Sequence, residues 1–365
     1  MSLQPGIELD AGPALPAPLG AAAPARGPWA LAWQRLRGNR AAMTAGVVLG
    51  VIVLACLAAP LYADHVAGVD PFSSNVGGTT IVDGKPTPVI APNPSGFGST
   101  PIGPTLEAHY FLGADTQGRD VAARLLYGGR VSLEVGVLAA LLTALLATVV
   151  GMVAGLYGGL IDGILSRLLD LLWAFPVYLL AISLSTVLLI GGVHFGPFTI
   201  DADSVWLPIA IIGFIYIPYL ARPVRGEVLS LRRREFVDAA VAQGASNRQI
   251  LFSELLPNVL PLVVVFVPLM IATNVLTESA LSYLSIGVQP PNASWGTIVN
   301  DGQSQLYTRP WVSIAPGLFI MATVVSLNVF GDGLRDALDP RGVTAPRRGK
   351  RGRRRIGLLG GRRPA

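Results

Sequence analysis

Six long stretches without a single charged residue constrain this chain more than any other feature. They fall at 41–60, 135–156, 171–193, 205–221, 255–277 and 310–331. A helix needs about 20 predominantly apolar residues to cross the hydrocarbon of a bilayer. Lipid also offers no partner to an unpaired backbone group, so a spanning segment must satisfy its own N–H and C=O groups. Each stretch therefore reads as a membrane-spanning helix, with 205–221 the shortest. The expected fold is an all-α integral membrane protein of about six transmembrane helices. The composition agrees: 52% of the residues are hydrophobic and only 13% charged, against roughly 25% charged in an ordinary soluble domain.

Between the spans, composition sets the divisions. Residues 1–40 are expected to be a disordered basic N-terminus, since 1–28 are rich in Ala, Pro and Gly without apolar periodicity. The run at 41–60 follows Arg35, Arg37 and Arg40 and has the outline of a secretory signal, but it is long for one and further spans follow. Residues 61–131 form an aqueous loop, of which 61–110 is polar and rich in Gly and Pro. The core is expected at 132–340, with an inner loop at 222–257 and a disordered basic tail at 341–365. The single cysteine, Cys56, excludes an internal disulfide. His65, His109 and His194 are far apart and lack the spacing of a metal site.

Basic residues fix the orientation. With the N-terminus inside, the inner segments carry Arg35, Arg37, Arg40, Arg167, Arg222, Arg225, Arg232, Arg233, Arg234 and Arg248, together with the tail. The outer loop at 194–204 carries none, and 282–309 carries only Arg309. Short inner loops hold the excess of Lys and Arg, so both termini are expected in the cytoplasm. Pro176, Pro208, Pro218, Pro261, Pro268 and Pro316 interrupt the last four spans. Each removes a backbone donor and can kink its helix.

The loop at 222–257 carries the most information. Residues 234–243 are compatible with a helix that places Glu235 and Asp238 in its first turn, where negative charge suits the dipole. Ala239 and Ala240 form a small-residue face. Gly244 supplies a stop, because left-handed geometry costs glycine nothing. Ser246-Asn247-Arg248-Gln249 fits a capping box that starts a second short helix, with Pro257 opening the next span. So small a unit cannot bury Phe236, Val237, Val241, Ile250 and Phe252 together. From the residues alone, either a partner's groove or the membrane surface covers the rest.

Motifs in this loop resemble a known family. Asp238-Ala239-Ala240, then Gly244, then Leu256-Pro257 is similar to the EAA motif of ABC importer permeases, with Asp for the usual Glu and Glu254 at a position that is usually Ile. Phe111–Asp120, Gly128–Leu133, Glu278–Leu284, Gly287–Pro291, Ser294–Gly296 and Gly331–Pro340 resemble signatures of the dipeptide/oligopeptide/nickel branch, on the side of its C-type permease. The resemblance covers about 111–340. It implies that Glu235, Phe236, Asp238, Ala239, Ala240, Gly244, Ala245, Ser246, Leu256 and Pro257 form a coupling segment that docks into an ATPase. It further implies a second permease subunit, two ATPase subunits or domains, an extracytoplasmic solute-binding protein, a bacterial cytoplasmic membrane, and import of peptides by alternating access. Nickel or another small solute is the alternative cargo within the family.

This chain has no GxxxxGK[ST] phosphate loop. ATP and Mg are accordingly expected on the partner ATPase, with no cofactor on this chain and no catalytic role for it. Glu278 and Asn274, near the outer end of the fifth span, are candidates for a pathway or outer gate, since a charge at that depth needs a partner or water. Structural pairing is the other reading of Glu278. Arg167 and Asp170 are spaced to pair on a helix, and Arg119 and Asp120 either brace the outer loop or meet the binding protein. The basic tail suits membrane lipid rather than nucleic acid. An ion-coupled secondary transporter would carry ionisable residues in mid-span and inverted repeats. A membrane-embedded enzyme would need convergent catalytic residues. The sequence shows neither pattern.

Overall fold

The computed structural model describes residues 28–338 except 94–97, 106 and 196–197. The expectations for 1–27 and for the tail lie outside the described residues. Helix α1 (Pro28–Gly38) precedes α2 (Arg40–Leu57), which Asn39 caps through its side chain. The first part corrects an expectation. Residues 28–38 are helical because Ala32 and Leu36 bury themselves against Ala42 and Ala337. A short α3 (Ala59–Tyr62) leads to two small antiparallel hairpins, β1 (Thr79–Val82) with β2 (Lys85–Pro88), and β3 (Ile90–Pro92) with β4 (Ser99–Pro101).

Helix α4 (Val121–Tyr157) is 37 residues long. Its Asp120 cap accepts a hydrogen bond from Ala123 N at 2.8 Å. The helix starts well before the uncharged run at 135, so residues 121–131 belong to it and not to the loop. Gly158 ends it at φ +66°, and α5 (Gly159–Ala174) follows. Phe175 is extended because a residue before proline avoids helical geometry. Pro176 then starts α6 (Val177–Gly191) at 89° to α5. The stretch 171–193 is thus not one straight helix. A hairpin, β5 (Val193–Phe195) with β6 (Phe198–Ile200), joins α6 to α7 (Trp206–Ile215) and α8 (Ile217–Leu231), which meet at 43° with Pro218 in the first turn of α8.

Next come α9 (Glu235–Ala242), α10 (Asn247–Gln249), a π-type turn at Ile250–Leu255 and α11 (Leu256–Tyr283). The short α12 (Trp295–Gly302) and the last span, α13 (Trp311–Leu338), complete the described chain. Among the described residues four helices are long and apolar enough to cross a membrane, or up to six if each bent pair is one span, which accommodates the expected number. Helix α4 is central, packing on α8, α11 and α7, while α13 packs on α2 and α11. The hairpins β1–β4 and α12 lie at one end of the bundle, and α1 and α9 at the other.

Candidate functional site

The short helix α9 projects from the end of α8. Arg232, Arg233 and Arg234 make the turn between them, and Arg232 donates to the Gly155 carbonyl of α4 at 3.0 Å. Val237 is the anchor. It is buried with Val228, Ile250 and Leu255, which fixes one face of α9 on the bundle. Ala240 and Ala245 pack partly against the same cluster, while Ala239 stays exposed. Glu235 and Asp238 stand exposed in the first turn.

Local chemistry closes the helix as its sequence predicts. Gly244 takes φ +83°. Its N–H reaches the Val241 carbonyl at 2.9 Å, and the Ala245 N–H reaches Ala240 at 3.0 Å. These two bonds form a Schellman ending. Ser246 and Gln249 then form the capping box. The second helix differs from its expectation: α10, the π-type turn and α11 run on as one helical body, Asn247–Tyr283. Leu256 and Pro257 are its internal residues rather than a fresh start. Glu254, at the position usually held by Ile, is half-buried, and neighbouring Leu255 takes the fully buried place.

Not every apolar side chain here is covered. Phe236 is 38% exposed, Val241 57% and Phe252 62%. Three large apolar groups therefore surround a projecting helix at one end of a bundle, beside the positive charge of Arg233, Arg234 and Arg248.

Two ion pairs tie α5 to α8 behind this segment. Arg225 grips Asp162 through two nitrogens, one at 2.7 Å, and Arg222 meets Asp170 at 2.9 Å. The expected Arg167–Asp170 pair does not form. Arg167 is exposed.

At the opposite end, the structure buries both gate candidates. Glu278 is fully buried and accepts from Ser132 at 2.8 Å and from Ser282 at 2.6 Å. Asn274 is fully buried with its amide against the α4 backbone near Gly136 and Ala140. Both sit in the seam between α4 and α11, where the Ser132 and Ser282 hydroxyls pair Glu278. The signal for this was present in Ser132 and in Ser282, one turn from Glu278.

Arg119 and Asp120 brace the end of the bundle that carries α12. Asp115 is fully buried between Arg119, at 2.7 Å, and Arg124. Both guanidinium groups also hold Asp301 of α12, at 3.0 and 2.8 Å. Asp120 accepts from Tyr110 N at 2.7 Å. Burial pushes its carboxyl above the usual carboxylate range, against the downward pull of the backbone donors at Ala123, Tyr110 and Ala122. Asp301 was missed from sequence, since its partners lie 177 and 182 residues away.

Spanning helices around a central α4, with one short helix projecting from one end, define a polytopic membrane protein. The chain matches the family model "Binding-protein-dependent transport system inner membrane component" over residues 147–342. It also matches "N-terminal TM domain of oligopeptide transport permease C" over 27–75, which extends the likeness beyond 111–340. It is 37% identical to the oligopeptide transport system permease protein OppC of Escherichia coli K12, over 86% of this chain and 91% of that protein. It is 37% identical to the glutathione transport system permease protein GsiD of Salmonella paratyphi A, over 87% and 91%. With the dipeptide transport system permease protein DppC of Alkalihalophilus pseudofirmus the identity is 35%, over 86% and 90%. The chain belongs to the binding-protein-dependent ABC importer permeases, in their oligopeptide/dipeptide/glutathione group, and is a multi-pass inner-membrane protein with a transport role.

Proposed function

We propose that this chain is one of two permease subunits of an ATP-driven peptide importer, and that α9 receives the stroke of a partner ATPase. The observation that carries this reading is the exposed trio Phe236, Val241 and Phe252 around a helix that Val237 anchors to the core. A groove on a partner covers them. The partner binds ATP and Mg and hydrolyses the nucleotide. The excess of Arg around α9 and near both termini supports a cytoplasmic position for these segments. The hairpins and α12 then face a solute-binding protein outside. Nucleotide binding drives alternating access only if it favours one arrangement of the spans over the other. The rigid link from α9 through Val237 and Arg232 to α8 and α4 supplies the route.

Oligopeptides or dipeptides are the cargo this reading favours, since relatives carrying those names match nearly the whole chain. The assay is uptake of labelled peptide into proteoliposomes that hold the assembled transporter. Uptake should require internal ATP and should fall at least about tenfold in Phe236→Asp with the membrane subunits still assembled. Uptake without hydrolysis, or labelling of an α9 cysteine from outside the cell, overturns the proposal.

A further inference from the structure

A polar cavity opens at the end of the bundle that carries α12. Its volume is about 630 Å³, within the range of small-ligand sites. Arg119, Arg124 and Asp301 line it, and no other ionisable residue does. With the buried Asp115 these groups form two guanidinium groups against two carboxylates, so the cluster is neutral. Its most exposed member is Asp301, at 31%. Asp301 uses only Oδ2 on the two arginines. Its Oδ1 makes no hydrogen bond among the described residues, and neither does Arg119 Nη1.

The rest of the lining is amide, hydroxyl and apolar. Gln289 donates through Nε2 to the Ser285 and Gly287 carbonyls, and Asn300 donates through Nδ2 to Ser285 Oγ. Both keep their amide oxygens unused. The Asn292 side chain lines the cavity and makes no hydrogen bond among the described residues. Phe72, Pro290 and Pro291 add exposed apolar surface. A phosphate would bring its charge against a neutral cluster that shows a carboxylate outermost. A bare cation would meet a carboxylate that two guanidinium groups already hold. The fitting ligand offers a charged donor to Asp301 and an acceptor to Arg119 side by side, followed by groups that both donate and accept.

We infer that this cavity holds the amino end of a peptide, an assignment that rests on the peptide-importer reading and adds a cargo site to it. The ammonium group and first carbonyl oxygen of a peptide stand about 3 Å apart. Asp301 and Arg119 are themselves in contact at 3.0 Å, so one residue of the ligand reaches both. The ammonium group donates to Asp301 Oδ1, and the first carbonyl accepts from Arg119 Nη1. The next peptide groups meet Gln289, Asn292 and Asn300, because a backbone offers one donor and one acceptor per residue and amide side chains offer the same pair. Side chains of the ligand rest on Phe72 and the two prolines, which make no demand on their identity beyond size.

The test is direct binding to the purified complex of both permeases and the ATPases, with no solute-binding protein present. The probe is trialanine with a fluorophore on its carboxyl end, read by anisotropy. Unlabelled trialanine amide should compete as well as trialanine. N-acetyl-trialanine should compete at least about tenfold less well, the low end for a hydrogen bond made by a charged group. Asp301→Asn should weaken trialanine by that factor and leave the acetylated peptide unchanged. Asn292→Ala should weaken both peptides alike, by about threefold. Equal competition by the acetylated peptide, or equal weakening of both peptides in Asp301→Asn, overturns the inference and leaves Asp301 a structural brace. Failure of the complex to bind trialanine while the full transporter still imports it also overturns the cavity assignment and leaves the importer reading standing. Binding as stated without any ATP-driven uptake refutes the importer reading and upholds the cavity.

Discussion

Gly151 and Gly155 of α4 let α8 approach so closely that a single added methyl group should loosen the link to α9. A Cβ on Gly151 would stand 2.6 Å from the Ala221 carbonyl oxygen and 2.7 Å from Val224 Cγ1. At Gly155 it would stand 2.7 Å from Val228 and 3.1 Å from the Arg225 carbonyl oxygen. Comfortable contact needs about 3.5 Å. The nearest obstacle is backbone at Gly151 and the Val228 side chain at Gly155; a carbonyl cannot swing aside, and a β-branched side chain has little freedom at χ1, so the helices must part. Overpacking of this kind costs about 1–3 kcal/mol. Gly226 on the exposed face of α8 is the control, because a Cβ there meets nothing within 4 Å. Replacing glycine by alanine inside a helix gains up to about 1 kcal/mol, and that gain is common to both sites. The difference between Gly151→Ala and Gly226→Ala therefore isolates the steric term, and should be about 1–3 kcal/mol against Gly151→Ala.

Unfolding by SDS in mixed micelles measures that difference. A second readout is thiol labelling of Ala239→Cys, since Ala239 is exposed on α9 and the native Cys56 is buried. Labelling should quicken in Gly151→Ala and stay unchanged in Gly226→Ala. If the two alanine variants agree within about 0.5 kcal/mol, the usual scatter of surface changes, then the α4–α8 seam is slack and cannot transmit movement as argued.

Three further outcomes follow from named contacts. Asp115→Asn leaves Arg119 and Arg124 without their buried counter-charge and should cost about 3–5 kcal/mol, whereas Asp301→Asn, at a carboxylate 31% exposed, should cost about 1 kcal/mol or less; thermal unfolding of the two variants gives the order. Glu278→Ala strands the hydroxyls of Ser132 and Ser282 and should cost about 1–3 kcal/mol, with Glu278→Gln recovering most of it in the same assay. A Cβ added at Gly244 meets no neighbouring atom within 4 Å, so the cost of Gly244→Val, at least about 1–2 kcal/mol, comes chiefly from left-handed geometry; peptide-stimulated ATPase activity should fall, and Gly244→Asn should restore it.

Hydrophobic runs announced the spans because lipid imposes a length and a composition that nothing else in the chain imitates. The local stops were legible for a similar reason. Gly244 and the Ser246–Gln249 box act within a few residues, so their physics is written in adjacent letters. What failed depends on distance. The turns of α4 between Val121 and Val131 carry Arg124 and Arg130, which read as loop until Asp115, Asp301 and the Asp120 cap are known to satisfy that end of the helix. The sharp bend at Phe175–Pro176 needed only its proline to be seen, but its 89° angle is set by how α5 and α6 pack. The merging of α10 with α11 through a π-type turn has no short signature. For Glu278, Ser282 one turn away was a local hint, but the partner Ser132 lies 146 residues away.

These features together explain why α9 can be both firmly held and available. A helix of eight residues is too short to persist alone in water, so its order must come from contacts. Val237 supplies them on one face, and the Schellman ending and capping box join it to a helix that continues into α11. Behind it, α8 is clamped to α4 by glycine packing and to α5 by the Arg225–Asp162 and Arg222–Asp170 pairs. A push on Phe236 or Val241 thus has no soft element to dissipate in before it reaches α4, α8 and α11. The Ser–Glu278 seam then ties α11 back to α4 at the far end, beside the cluster that fastens α12. Under the proposed function, movement at one end would be delivered to the other as displacement of packed helices, which interiors of this density transmit rather than absorb.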